Sequence, residues 1–242
     1  MIKQGDGKLS EGKKHIALIP SGKIVEEASK RNEARSMRKG EPILHMTEDM
    51  RRLSTPWSIS IMRAKQIEGL DLPAGVILDA AAGSGAQLIA LATELKRPAL
   101  GVELDGNIAV LCAANMHIAS DGEEIQRTLD RVIIGDGSDA EGAITAYWNS
   151  LRDSGTRAYP PIAMLHLDPA RPRDAQNHHI DEMKPSLTSV LKSWNEYLQN
   201  GPSGPAVLLD LSPRLGDDQQ AIVEAIVETI FPGIPRTWEW LS

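Results

Sequence analysis

Four carboxylates close four short apolar runs in the middle of the chain. They are Asp79 after Val76-Ile-Leu, Glu103 after Ala99-Leu-Gly-Val, Asp136 after Arg131-Val-Ile-Ile-Gly, and Asp168 after Ile162-Ala-Met-Leu-His-Leu. Apolar runs of this length suit strands buried on both faces of a parallel sheet. Acids at successive strand ends then gather on the edge where open α/β sheets bind ligands. After Asp79 comes a stretch of small residues, Ala80-Ala-Ala-Gly-Ser-Gly-Ala86, leading into a helical pattern. Gly83 and Gly85 let the backbone reach positive φ and approach a ligand closely, and the unpaired N–H groups of a helix start favour polar or anionic atoms. Glu103, 24 residues beyond Asp79, is placed to accept hydrogen bonds from both hydroxyls of a ribose. A nucleotide-like cofactor is expected.

Alternating elements must position these groups. The pattern predicts strands at Val76–Asp79, Ala99–Glu103, Arg131–Ile134, Ile162–Leu167 and Ala206–Leu211. Helices are expected at Ala86–Leu95, Asn107–Ser120, Asp139–Leu151, Ser186–Leu198 and Gln219–Ile230. This βαβ-like spacing implies an α/β fold, a mostly parallel sheet covered by helices on both faces. Upstream, residues 1–22 read as a poorly ordered lead-in and Ile24 to Lys39 as a charged helix. Thr55-Pro56 marks a helix start, with Trp57, Ile61, Ala64 and Ile67 at helical spacing and Gly69 as the stop. Trp57 is assigned to core packing, although the start of this helix could overhang the cofactor. The organisation expected is a basic N-terminal extension, 1–54, followed by one catalytic domain, 55–242.

Which cofactor the turn would hold depends on its glycines. Dinucleotide sites want G-x-G-x-x-G, and no glycine stands three residues beyond Gly85. The stretch resembles instead the first motif of class I S-adenosylmethionine-dependent methyltransferases, an acid followed by G-x-G-x-G, with Ala81 in the first glycine position. That resemblance implies a Rossmann-like methyltransferase fold and S-adenosyl-L-methionine held along Asp79, Ala81, Gly83, Gly85, Glu103, Leu104, Asp136, Gly137 and Asp168. In such enzymes an acid at Asp136 receives the adenine amine, although a carboxylate there is also a natural helix N-cap. Asp168-Pro169 resembles the D/N-P-P-aromatic motif of amino-directed nucleic-acid methyltransferases, which implies a target amine held by the Asp168 side chain and a proline-constrained carbonyl. The stacking aromatic is missing. Arg171 could replace it by stacking on a base or gripping a phosphate. Asp168, Pro169 and Arg171 are therefore the candidate catalytic residues.

Asp168-Pro-Ala-Arg171, Glu182-Met-Lys-Pro-Ser-Leu187 and Leu211-Ser-Pro-Arg-Leu215 together resemble a prokaryotic group of proposed RNA methyltransferases that carry a C-terminal THUMP-like domain. Pro172 and Gly216 depart from that group's pattern. Thr237 to Leu241 could begin a sixth strand, after which the chain stops where a class I methyltransferase still needs a seventh, antiparallel one. A truncated sequence is the expectation.

Charge bears on the partner. The net value of −7 hides an asymmetry: residues 1–66 hold 14 Lys and Arg against 8 Asp and Glu, and the remainder holds 12 against 25. A basic arm on an acidic body suits a phosphate backbone, and a solvated extension is the plain alternative. An RNA substrate, no membrane and a cytoplasmic setting are expected, since no apolar run reaches the roughly 20 residues of a membrane span and no signal-peptide core opens the chain. The lone Cys112 reads as a small buried hydrophobe, and Trp148 and Trp194 as core. His178-His179 and His166 carry no metal-ligand spacing, so the pair is assigned to a loop and His166 to a face against a helix layer. The competing readings are a methyltransferase for a protein or small molecule, a non-catalytic RNA-binding module, and a Rossmann dehydrogenase, the last disfavoured by the missing glycine.

Overall fold

The computed structural model describes residues 15–36, 40–119, 128–170, 179–212 and 214–240. Its centre is a seven-stranded sheet edged by β1 (Ile16–Leu18) and β8 (Asn200–Gly201), in the order β1-β6-β5-β4-β7-β9-β8. Five strands are mutually parallel: β4 (Val76–Asp79), β5 (Ala99–Glu103), β6 (Arg131–Ile134), β7 (Ile162–Leu167) and β9 (Gly204–Leu209). From β4 the chain steps outward through β5 to β6, then returns to lay β7 on the other side of β4. That reversal is a topological switch point, where doubly wound sheets open a crevice for ligands. The expected Rossmann-like α/β architecture is what the sequence builds.

Strand side chains alternate between two cores, as a period of two requires. Val76, Leu78, Leu100, Val102, Ile133, Leu165 and Leu167 enter one core. Helices α6 (Ala140–Asp153), α7 (Leu187–Trp194) and α8 (Asp217–Ile230) cover it through Tyr147, Trp194 and Val223, among others. Ile77, Ala99, Val132 and Met164 enter the opposite core, under α3 (Trp57–Glu68), α4 (Ala86–Glu94) and α5 (Gly106–Ala119). Cys112 is fully buried there, and Trp57 packs against the same cluster. Among the described residues no helix is long and apolar enough to cross a membrane.

Three expectations are corrected at the ends of the chain. Ile16–Leu18, read as part of a lead-in, forms β1 and pairs antiparallel with β6, Ala17 opposite Ile133. Its apolar triplet covers what would otherwise be an open sheet edge. The charged helix is shorter than its pattern: α1 runs Gly22–Arg31 and stops at the extended Asn32, after which β2 (Arg35–Ser36) pairs with β3 (Ile43–Leu44). Lys39 lies outside the described residues. Finally, Thr237–Trp240 form no strand, and Leu241 lies outside the described residues. Arg236 pairs with Glu224 and Glu228, and the Trp238 indole donates to Glu224, so this tail is tied to α8. The two-residue β8 (Asn200–Gly201) takes the place beside β9.

One further helix, α2 (Glu48–Leu53), is capped by Thr47, whose side chain accepts from the Met50 amide at 3.3 Å. The start of α3 differs from expectation by one position. Pro56 stands at the cap, and the Trp57 amide donates to the Glu41 carboxylate at 3.1 Å.

Deleting residues 1–21 should lower the urea midpoint and speed amide exchange in Val132–Ile134, because β6 loses its edge partner. A segment that merely leads into the fold would leave both unchanged.

Candidate functional site

A cavity of about 2090 Å³ lies across the C-terminal ends of the parallel strands. Asp79, Ala81, Gly83, Glu103, Leu104, Asp136, Gly137, Asp168 and Pro169 all line it, so most of the residues singled out in the sequence meet on one rim. Arg171, Pro172 and His178 lie outside the described residues. Helix α2 and the start of α3 form part of the enclosure through Met50, Arg52, Leu53 and Pro56.

The turn after β4 is held by the acids on either side of it. Asp79 Oδ1 accepts from the Ala81 amide at 3.0 Å, and Glu103 Oε2 accepts from the Gly83 amide at 2.9 Å. The other Glu103 oxygen accepts from the Asp105 amide at 2.8 Å. Burial raises the Glu103 carboxyl above the ordinary range, against the pull of these two amides. Gly83 has φ +52 with open space where a Cβ would stand, the nearest atom being Met50 Cε at 4.0 Å. This is the backbone edge left accessible for close approach.

Gly85 does something else. It does not line the cavity. It caps α4 at φ +78, and a Cβ there would fall 2.7 Å from Cys112 Sγ, so glycine is needed for packing. Gly137 is still more constrained: a Cβ would fall 1.8 Å from the Ala80 carbonyl oxygen. The turn after β6 thus lies directly against the turn after β4, and the Trp194 indole fixes it by donating to the Gly137 carbonyl at 2.8 Å. Asp136 Oδ1 accepts from the Ser138 amide at 2.9 Å and its hydroxyl at 2.7 Å. The cap of α6 is Asp139, which accepts from Gly142 at 3.0 Å, so helix capping does not account for Asp136.

Asp168 follows the last residue of β7 and is exposed to the cavity. Its Oδ2 accepts from Gln87 Nε2 at 2.6 Å. Burial, then repulsion from Asp210, pushes its carboxyl up to about 6. The segment beyond it is pinned by the Lys184 amide, which donates to the Ala170 carbonyl at 2.9 Å.

Four participants escaped the sequence reading. His166, expected simply to face a helix layer, is fully buried with Nδ1 2.8 Å from Asp79 Oδ2 and Nε2 3.3 Å from Asp210 Oδ2. Asp210 also accepts from Arg63 Nη1 at 2.5 Å, and the same Arg63 nitrogen donates to Gln87 Oε1 at 3.0 Å. Asp210 stands just past β9, and an acid closing a fifth apolar run was the signal that could have found it. Arg63 and Gln87 lie on helices where nothing in the local pattern distinguishes them. Asp79, for its part, is 2% exposed and has both oxygens engaged, so it holds the turn from beneath. Among the described residues no group of three or more His, Cys, Asp or Glu could hold a metal ion.

No protein-family model and no curated protein matches the chain. Solved structures do. A proposed methyltransferase of Porphyromonas gingivalis W83 is 19% identical, with a TM-score of 0.45 over 70% of this chain and 35% of that one. Trm1 from Pyrococcus horikoshii, in complex with S-adenosyl-L-methionine, is 16% identical, with a TM-score of 0.37 over 64% of this chain and 38% of that one. A proposed class I S-adenosylmethionine-dependent methyltransferase of Listeria monocytogenes is 15% identical, with a TM-score of 0.46 over 72% of this chain and 51% of that one. The chain matches between about a third and a half of the length of these structures.

The His166 ring generates a pH prediction. Desolvation alone would lower its pKa, but Asp79 and Asp210 outweigh that and raise it from 6.5 to about 10. The folded state therefore holds this proton more tightly than the unfolded chain, a contribution complete below pH 6.5 and lost as pH rises through about 10. The urea midpoint should fall across that window, and Asp79→Asn should flatten the fall. An equally steep fall in the variant would show that another group is responsible.

Proposed function

We propose that this chain is an S-adenosyl-L-methionine-dependent methyltransferase whose target is a base nitrogen in RNA. The observation that carries the reading is the convergence of the Gly83 turn, Glu103, Asp136 and Asp168 on one cavity at the ends of adjacent parallel strands. The fit to the cofactor is supported by donor and acceptor chemistry. Glu103 has given one lone pair from each oxygen to a backbone amide, and an ionised carboxylate offers about four acceptor sites. Two therefore remain for a vicinal diol. Leu104, 63% exposed beside it, offers an apolar face for a base, and Asp136 stands next along the rim. The open backbone at Gly83 gives the amino-acid end of the cofactor room to lie close. Asp79 and Gly85 serve this site by shaping the turn, Ala81 and Gly137 by lining it.

When bound, the cofactor supplies an electrophilic methyl group on a sulfonium. What the chain must add is positioning and electrostatics. Asp168 accepts hydrogen bonds from the attacking amine and offsets the positive charge that develops on it, and Pro169 stiffens the backbone beside it. The cavity exceeds the few hundred to about 1,000 Å³ of an ordinary small-ligand pocket, which leaves space for a second, larger substrate.

Support for RNA comes from four residues of the cavity wall, set among acids that include Asp49, Asp71, Glu224 and Glu239: Arg52 and Lys184 suit phosphate contact, and Trp238 and Trp240, 36% and 56% exposed, suit base stacking. We assign residues 1–54 as a basic segment that adds β1 to the sheet edge and α2 to the site, 55–242 as the catalytic part that holds the rim, and Arg171 as a further RNA contact. The kinship with the group carrying a THUMP-like domain is part of the same proposal and rests on the three sequence stretches that resemble it.

Glu103→Ala should weaken cofactor binding by about 1–3 kcal/mol in calorimetry, the usual cost of unpairing buried polar groups. Unchanged affinity would remove Glu103 from the site. Asp168→Ala should cut turnover while leaving cofactor affinity nearly intact, and full activity would discard its role. The substrate is tested by incubating the full-length chain with labelled S-adenosyl-L-methionine and total RNA, followed by nucleoside mass spectrometry. Label in protein or small-molecule fractions alone would overturn the RNA assignment.

A further inference from the structure

We infer that His166 is a positioning residue: a buried imidazolium that bridges Asp79, under the cofactor turn, to Asp210, on the target side, and so keeps Asp168 usable as an acceptor. The inference rests on the reading of Asp168 given above.

Hydrogen-bond accounting fixes the charge of the ring. His166 is 0% exposed, and each of its nitrogens faces a different carboxylate, Asp79 at 2.8 Å and Asp210 at 3.3 Å. Ionised carboxylates only accept, so both nitrogens must donate, and an imidazole that donates twice is a cation. Asp210 is kept ionised by the Arg63 guanidinium, which donates to the same Oδ2 that faces the ring.

The bridge is one part of a continuous chain of contacts. It runs from Asp79 through His166 to Asp210, then to Arg63 on α3, Gln87 on α4 and finally Asp168. Sheet register places its members: Asp79 lies opposite His166 across β4 and β7, and His166 opposite Leu208, two residues before Asp210, across β7 and β9. The cofactor turn and the target acid, on opposite sides of the switch point, thereby share one rigid framework.

Electrostatics supplies the second half of the argument. Among the described residues, the charged groups acting on His166 and Asp168 are Asp79 from β4, Asp210 after β9 and Arg63 from α3, with the neutral Gln87 from α4 bonded to Asp168. Three carboxylates are thus offset by two cations, His166 and Arg63. His166 and Arg63 pull the Asp168 carboxyl down while burial, Asp210 and Asp79 push it up. Removing the ring charge would leave those acids to repel one another and push the Asp168 carboxyl up further, so that it serves as an acceptor over a narrower pH range.

The test uses the cofactor-free, full-length chain, so it does not depend on the proposed reaction. With ¹⁵N-labelled histidine, His166 should give the two protonated ring nitrogens of an imidazolium at pH 8. A neutral ring at that pH overturns the bridge, and this measurement needs no variant. With ¹³C-labelled aspartate, His166→Asn should raise the Asp168 titration midpoint by about one pH unit, and adding Asp210→Asn should return it toward the starting value. A ring that serves packing alone would leave the midpoint in place in both variants, which also overturns the inference. Once a substrate RNA is in hand, His166→Asn should lower kcat by up to about tenfold on the acid limb, below about pH 6, and little at pH 8. The KM for S-adenosyl-L-methionine should change little, and the acid limb of the rate profile should move up with the Asp168 midpoint. A displaced midpoint together with transfer indifferent to Asp168→Ala would instead sink the methyltransferase reading of that acid while leaving the imidazolium bridge standing.

Discussion

Crowding of negative charge at one sheet edge is the constraint that organises this molecule. Parallel strands send their ends to a common rim, and here Asp79, Asp168 and Asp210 arrive on three adjacent ones. Carboxylates packed in a desolvated crevice repel each other, and a fold that collected them without compensation would lose stability or protonate them. Buried His166 and half-sheltered Arg63 are set between them. The outcome differs from acid to acid. Asp210, with both cations against it, is held below the ordinary carboxylate range, whereas Asp168, bonded among the described residues to the neutral Gln87, is raised. One acid becomes scaffold and the other stays chemically available.

A second coupling acts along the other half of the rim. Glu103 leaves β5 and reaches across to the turn after β4, while the turn after β6 presses its glycine backbone onto Ala80. Three consecutive strand ends are therefore locked together by one carboxylate–amide bond and one backbone-to-backbone contact. Preorganisation of this kind lowers the entropy lost when a ligand is fixed, because little of the site is left to order.

Much of the framework was legible because it follows from period and punctuation. Apolar runs closed by acids marked four of the parallel strands to the residue, the fifth was read as Ala206–Leu211 and runs Gly204–Leu209, and the small-residue turn marked the crevice. What was illegible has physical reasons. β1 is three residues long, and only its pairing with β6 makes it a strand. The helix ending at Arg31 carries a charge pattern that continues past it, so composition overran geometry. The tail at Thr237–Trp240 has the residues of a strand, yet ion pairs to α8 hold it off the sheet. Gly85, singled out with Gly83 as a ligand contact, faces Cys112, since a glycine required by packing and one required by a ligand look alike in sequence. His166 was legible as a buried residue and illegible as a cation, because its partners come from strands 87 and 44 residues away.

The approach of α2 to the turn has a consequence for the crevice. Met50 is the side chain nearest the bare edge of Gly83, and it belongs to a helix outside the parallel core, capped by Thr47 and joined through Arg51 to the Glu33 and Arg35 carbonyls. A molecule lying along that edge is floored by the sheet and ceilinged by this thioether. A ligand taken up there would lie between the turn and a six-residue helix that itself adds Asp49 to the lining, so one wall of the crevice comes from outside the parallel core.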